Sequence, residues 1–86
     1  MPHNIVMRRI EVTEAYRPLS DRPLVMSGEI CSPPFNPGPV FFRGDDGSDV
    51  PWIAGETHFF RRSNLAEIFV KGAPGSVVTI VGGTWD

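Results

Sequence analysis

Apolar and polar residues alternate with a period of two over much of this chain. From Ile5 to Val12, Val6, Ile10 and Val12 fall on one parity and Arg9, Glu11 and Thr13 on the other, which predicts a strand with one buried face. Arg8 interrupts the pattern by standing on the inner parity. Leu24, Met26 and Ile30 alternate with Val25, Ser27, Glu29 and Cys31, predicting a second strand, and Gly28 in its middle predicts a bulge or a close approach of another backbone. Five short runs follow, VFFR, VPWIA, THFFRR, IFVK and SVVTIV, rich in β-branched or aromatic residues and separated by GDDGSD, AGE, SNLAE and GAPG.

The intervening segments read as connections. EAYRPLSDRP holds two prolines and an Asp, each unfavourable in a central strand, and is expected to be a loop. CSPPFNPGP carries Pro33, Pro34, Pro37 and Pro39, which fix φ and remove backbone donors, so a rigid extended connection is expected there. SNLAE is the one helical candidate, a single turn capped by Ser63 or Asn64. About seven short strands without a sustained helical period predict one all-β domain over residues 1–86, an antiparallel β-sandwich or a small jelly-roll-like barrel. Residues 1–9, MPHNIVMRR, are expected to form either an N-terminal arm or a plain first strand with a frayed end.

Composition narrows the chemistry. With 86 residues the core is small, so contact with a partner surface would add stability that the core lacks. Eight basic and ten acidic residues give a net charge of −2 with no long run of either sign, which argues against a nucleic-acid partner. Cys31 stands alone, excluding an internal disulfide framework and the spacing of a structural zinc site, and suggesting synthesis in a reducing compartment. No segment has the apolar length of a signal-peptide core or a membrane span, so a soluble protein not exported by the general route is expected.

In FFRGDDGSDVPW, Asp45, Asp49 and Glu56 match part of a calcium-loop spacing, but Gly47 and Val50 occupy positions that need a ligand and a glycine. Arg43-Gly44-Asp45 is an adhesion-type tripeptide, weak by its length. Flanked by strands, the same stretch reads best as a hairpin with Asp46-Gly47 at its turn. His3 lies near the N-terminus, and His58 has no evident partner for proton transfer. Cys31 has no basic neighbour to activate it. Gly72, Gly75, Gly82 and Gly83 are read as turn glycines because neither KGAPGS nor GGTWD has the ending of a phosphate loop. Arg61-Arg62 beside Phe59-Phe60 is a weak basic-aromatic pair. These readings give no catalytic, cofactor or metal site.

The aromatics point elsewhere. Phe41-Phe42 and Phe59-Phe60 are adjacent pairs whose members must face opposite sides of their strands, so one of each lies away from the first core layer. Phe41, Trp52, Phe59, Phe60, Phe69 and Trp85 are therefore the interface candidates, with cover by the chain's own proline-rich segments as the alternative. A sugar-stacking platform formed by Trp52, His58 or Trp85 on an exposed face is the competing reading, belonging to a carbohydrate- or receptor-binding module.

Pro37 to Trp85, PGPVFFRGDDGSDVPWIAGE followed by LAEIFVKGAPGSVVTIVGGTW, resembles small all-β virion proteins of tailed bacteriophages. The likeness runs from a glycine before a strand through DDG, Val-Pro and Ala-Gly-Glu to Leu-x-x-Ile-aromatic-Val-Lys-Gly and a final Val-Gly-Gly. It implies a capsid decoration, cement or head-accessory subunit without cofactor, often trimeric, assembled in the host cytoplasm onto a major capsid protein or another virion subunit. Symmetric contacts of that kind would stabilise a small fold.

Overall fold

The computed structural model describes the backbone of residues 2–85 and the side chains of residues 4–84. Eight strands follow one another: β1 (Pro2–Glu11), β2 (Arg17–Pro18), β3 (Val25–Cys31), β4 (Val40–Arg43), β5 (Asp49–Trp52), β6 (Thr57–Asn64), β7 (Phe69–Gly72) and β8 (Val77–Trp85). A 3-10 turn, Leu65–Glu67, separates β6 from β7. The strands form two antiparallel four-stranded sheets, the first in the order β1-β8-β3-β6 and the second in the order β2-β7-β4-β5. The fold is a small β-sandwich.

Alternation decides what lies between the sheets. Val6, Val12, Met26, Ile30, Val78 and Ile80 from the first sheet meet Val40, Phe42, Trp52 and Val70 from the second, and Leu19 and Leu65 close the core from the connections. Such burial is the main stabilising contribution in a fold of this size. Residues 4–9 form part of β1, paired without a shift from Asn4 opposite Thr84 to Glu11 opposite Val77. Arg8 shares the inner parity yet stays exposed at the sheet's edge, where it lines a hollow with residues 20–24.

Three expectations need correction. The segment EAYRPLSDRP contains a two-residue strand, β2, in which Arg17 and Pro18 pair with Val70 and Phe69. Proline is tolerated there because β2 is an edge, and Leu19 anchors it by burying its side chain and donating its N–H to the Ile68 carbonyl at 2.9 Å. Next, VPWIA stops being strand at Trp52: Glu56 donates its N–H to the Ile53 carbonyl, and Gly55 takes φ 93° in the turn that follows. Finally, Gly82 and Gly83 lie inside β8 and Gly72 inside β7; among the four proposed turn glycines only Gly75, at φ 92°, is in a turn. Gly82 faces Gly28 across the β3-β8 pair, and a Cβ on either would collide with the opposite main chain and with the Met26 methyl. The close approach foreseen at Gly28 thus needs a glycine on both strands.

The proline-rich connection is fastened by a buried side chain. Asn36 donates to the Val77 carbonyl at 2.9 Å and to Ser32 Oγ at 3.0 Å, and its Oδ1 accepts the Val77 N–H at 2.9 Å. Every polar atom of this buried amide is satisfied, and the connection is thereby held to the start of β8. Asn64, one of the two proposed caps, accepts from the N–H groups of Ala66 and Leu24, fixing the 3-10 turn and the entry to β3 together.

Candidate functional site

The sandwich presents two outer faces, built from the residues that alternation turns away from the core. On the first sheet the register aligns Met7, Val81, Glu29 and Phe59 in one row across all four strands, with Ile5, Gly83 and Ser27 in the next. Ile5 is 75% exposed, Met7 70%, Phe59 62% and Val81 56%. Gly28, Gly82 and Gly83 offer main chain alone, so a shallow apolar hollow of about 430 Å³ opens between Ile5, Val81 and Phe59, with Glu29 at its side. Arg9, Thr79, Cys31 and Thr57 make the following row and bound the patch with polar groups.

The outer face of the second sheet also carries aromatics, and cations cover two of them, Phe69 and Tyr16. The Arg43 guanidinium stands 4.2 Å from the Phe69 ring centroid and 5.6 Å from that of Tyr16, and Lys71 Nζ stands 4.8 Å from the Tyr16 centroid. Tyr16 donates its hydroxyl proton to Asp49, which also pairs with Lys71 at 3.3 Å. Desolvation of the phenol and its bond to Asp49 push the Tyr16 pKa up to about 12. The Tyr16 hydroxyl and then Lys71 hold the Asp49 carboxyl below the ordinary carboxylate range.

The interface candidates separate accordingly. Among the candidates whose side chains are described, only Phe59 is broadly exposed on the first outer face, while Phe41 and Phe69 are half-buried on the second. Phe60 turns inward, half-buried, and stacks on Trp52 at 6.2 Å. Trp52 is a correction: at 6% exposure it belongs to the core, its ring 4.0 Å from Phe42 and 4.6 Å from His58, and it offers no face to a partner or a sugar. The Trp85 side chain lies outside the described residues, as does that of His3. Ile5, Met7 and Val81 were missed, although apolar residues on the polar parity of their strands are the signal that marks such a face.

The polar candidates resolve into local structure. Gly44 donates to the Ser48 carbonyl and Gly47, at φ 86°, to the Gly44 carbonyl, closing the hairpin with Asp46-Gly47 at its turn. Asp46 accepts from the Ser48 hydroxyl and N–H, and these bonds lower its pKa. Within Arg43-Gly44-Asp45, the arginine is laid over Phe69 while Asp45 is exposed. Of the calcium-loop positions, Asp49 is bound to Tyr16 and Lys71 and Glu56 to His58, whose hydrogen bond lowers the Glu56 pKa. Cys31 is half-buried and unbridged. Among the described residues no three His, Cys, Asp or Glu side chains converge as a metal site would require, and no helix is long and apolar enough to cross a membrane.

Fold and surface together define a small β-sandwich with one bare apolar outer face. No protein family, no curated protein and no solved structure matches the chain.

Proposed function

We propose that this chain is a structural subunit that works through protein-protein contact, with the outer face of the first sheet as its docking surface. The observation that carries the reading is the exposed cluster Ile5, Met7, Phe59 and Val81 around a floor of glycines. A contiguous apolar patch rimmed by polar residues marks an interaction surface, and an apolar centre with a polar rim is how such interfaces are built. Glu29, in the middle of the row, gives the patch polarity and selects a partner with a basic group opposite it. Together with the likeness of residues 37–85 to tailed-phage virion proteins, this favours a capsid decoration or head-accessory role.

The test is co-sedimentation of the purified chain with empty shells of the major capsid protein encoded with it, followed by electron microscopy. Wild-type protein should decorate the shell at repeating lattice positions, and Phe59→Glu should abolish decoration while the sandwich stays folded. Wild-type protein that remains in the supernatant at tens of micromolar sinks the virion reading.

A further inference from the structure

A two-sheet sandwich has four edge strands, and here they are β1, β6, β2 and β5. Edges carry unpaired N–H and C=O groups and invite pairing with another chain, so proteins shorten, kink or block them. Three of these edges are guarded. β2 has two residues and includes Pro18; β5 has four and includes Pro51; β6 is bulged where Arg61 and Arg62 stand opposite Ser27 and Arg62 takes φ 49°. β1 runs for ten residues, has no proline after Pro2 and pairs evenly with β8 from Asn4 to Glu11. Among the described residues, nothing outside β8 hydrogen-bonds to the main chain of residues 4–11.

We propose that β1 pairs antiparallel with β1 of a second copy, about a two-fold axis perpendicular to the first sheet at Val6, joining two sheets into one. Such an axis preserves parity, so inner residues meet inner residues and outer meet outer. Charge selects the register. Centred on Val6, the pairing sets Ile5 opposite Met7 of the second copy on the outer face, Val6 opposite itself, and Arg8 opposite the Asn4 amide. Centred on Met7, it would set Ile5 opposite Arg9 and Val6 opposite Arg8. Centred on Arg8, it would oppose two guanidinium groups directly. Arg8, an inward charge of the kind that guards edges, therefore excludes the Met7- and Arg8-centred registers, an Arg9 centre would oppose two further guanidinium groups, and centres at Ile5 or Ile10 would pair fewer residues of β1 than the Val6 centre, which takes in residues 2–10 of both copies. Ile5 and Met7, the two most exposed large apolar side chains among the described residues, gain apolar neighbours in that register. Because Ile5 and Met7 also belong to the outer face, the edge contact joins the two copies' outer faces into one continuous apolar surface.

Solution mass and crosslinking test it. Sedimentation equilibrium of the wild type from micromolar to millimolar concentration should show a monomer-dimer equilibrium, and Ile5→Lys should weaken it by about tenfold or more, because the change enters twice by symmetry. In a Cys31→Ser background, Ile5→Cys/Met7→Cys should oxidise to a covalent dimer, since directly opposed Cβ atoms lie within about 5.5 Å, whereas Ile5→Cys/Arg9→Cys should not. A monomer throughout, or a trimer, which this two-fold contact cannot build alone, overturns the proposal. So does equal crosslinking of the two cysteine pairs, which would refute the register independently of how Ile5→Lys folds.

Discussion

The two outer faces of this sandwich begin from similar material and end differently. Each contains large apolar side chains on strands whose other face is core. On the second sheet, Phe69 and Tyr16 lie beneath Arg43 and Lys71, and Asp49 ties the phenol to the ammonium group. Cation-π contacts of this kind contribute roughly 0.5–1 kcal/mol each at exposed sites, and they also give a face that is aromatic by composition a charged outer surface. On the first sheet, among the described residues, no cation lies over Phe59 and Ile5, Met7 and Val81 stand exposed, while paired glycines lower the surface between them. Composition alone does not distinguish a docking face from a self-satisfied one; the cations across the strands do.

The largest test of the comparison strikes the glycines beneath the bare face. In Gly28→Val the new side chain would meet the Val81 carbonyl oxygen, Gly82 Cα and the Met26 methyl, two of them main-chain atoms that cannot rotate away. β3 and β8 must separate, and the expected loss is about 3 kcal/mol, read as a lower denaturant midpoint at unchanged slope. Gly47→Val, in the hairpin beside the covered face, meets no neighbouring atom and is strained through its φ of 86° alone, so it should lose only about 1–2 kcal/mol. Equal losses would mean that the close β3-β8 approach does not shape the first face.

These glycines also show where the sequence was legible. Parity in Val6, Ile10 and Val12 and in Met26 and Ile30 identified two strands and their buried faces, and Asp46-Gly47 identified a turn, because each signal is local. Gly82 was misread because its reason lies across the sheet, in the backbone of Gly28 and Ser27, and Gly83 because it continues the same strand. β2 was invisible for the same reason: two residues have no periodicity, and Leu19 packing makes the strand. Trp52 shares a parity with Val50, which is exposed at the strand's other end, so alternation in DVPW did not say which side was inward. For Phe59 and Phe60 the register decides: Phe59 faces outward beside Glu29, and Phe60 goes to the core opposite Gly28.

A smaller effect separates the faces by pH. Asp49 has a depressed folded pKa, so its contribution to stability is present above its ordinary value of 3.8 and fades as acid protonates it. Tyr16 has the opposite sense. Its folded pKa of about 12 exceeds the ordinary 10.0, so stability is full below pH 10 and declines as pH rises towards 12, where the unfolded chain loses the proton first. Tyr16→Phe should flatten the alkaline decline in denaturant midpoints. The acid decline should survive in part, because Asp46 and Glu56 are also held low, by Ser48 and His58 respectively. An alkaline decline unchanged in Tyr16→Phe would detach it from the covered face.

The smallest expected change in stability belongs to the bare face itself. Val81→Lys exchanges a side chain that is 56% exposed for one that can extend its ammonium group into water beside Glu29. Removing exposed apolar area from the folded protein costs little, so the denaturant midpoint should move by an amount equivalent to no more than about 0.5 kcal/mol. Shell binding should fall far more, since a lysine at the centre of the apolar row would have to be desolvated in the complex, where Glu29 is the sole acid in the row to receive it. The matching change on the covered face, Lys71→Ala, should reverse the order of effects. It removes a partner of Asp49 and uncovers the Tyr16 ring, costing stability while leaving shell binding intact. If Val81→Lys destabilises the fold as much as Lys71→Ala does, the bare face belongs to the folding core and the division between the two faces fails.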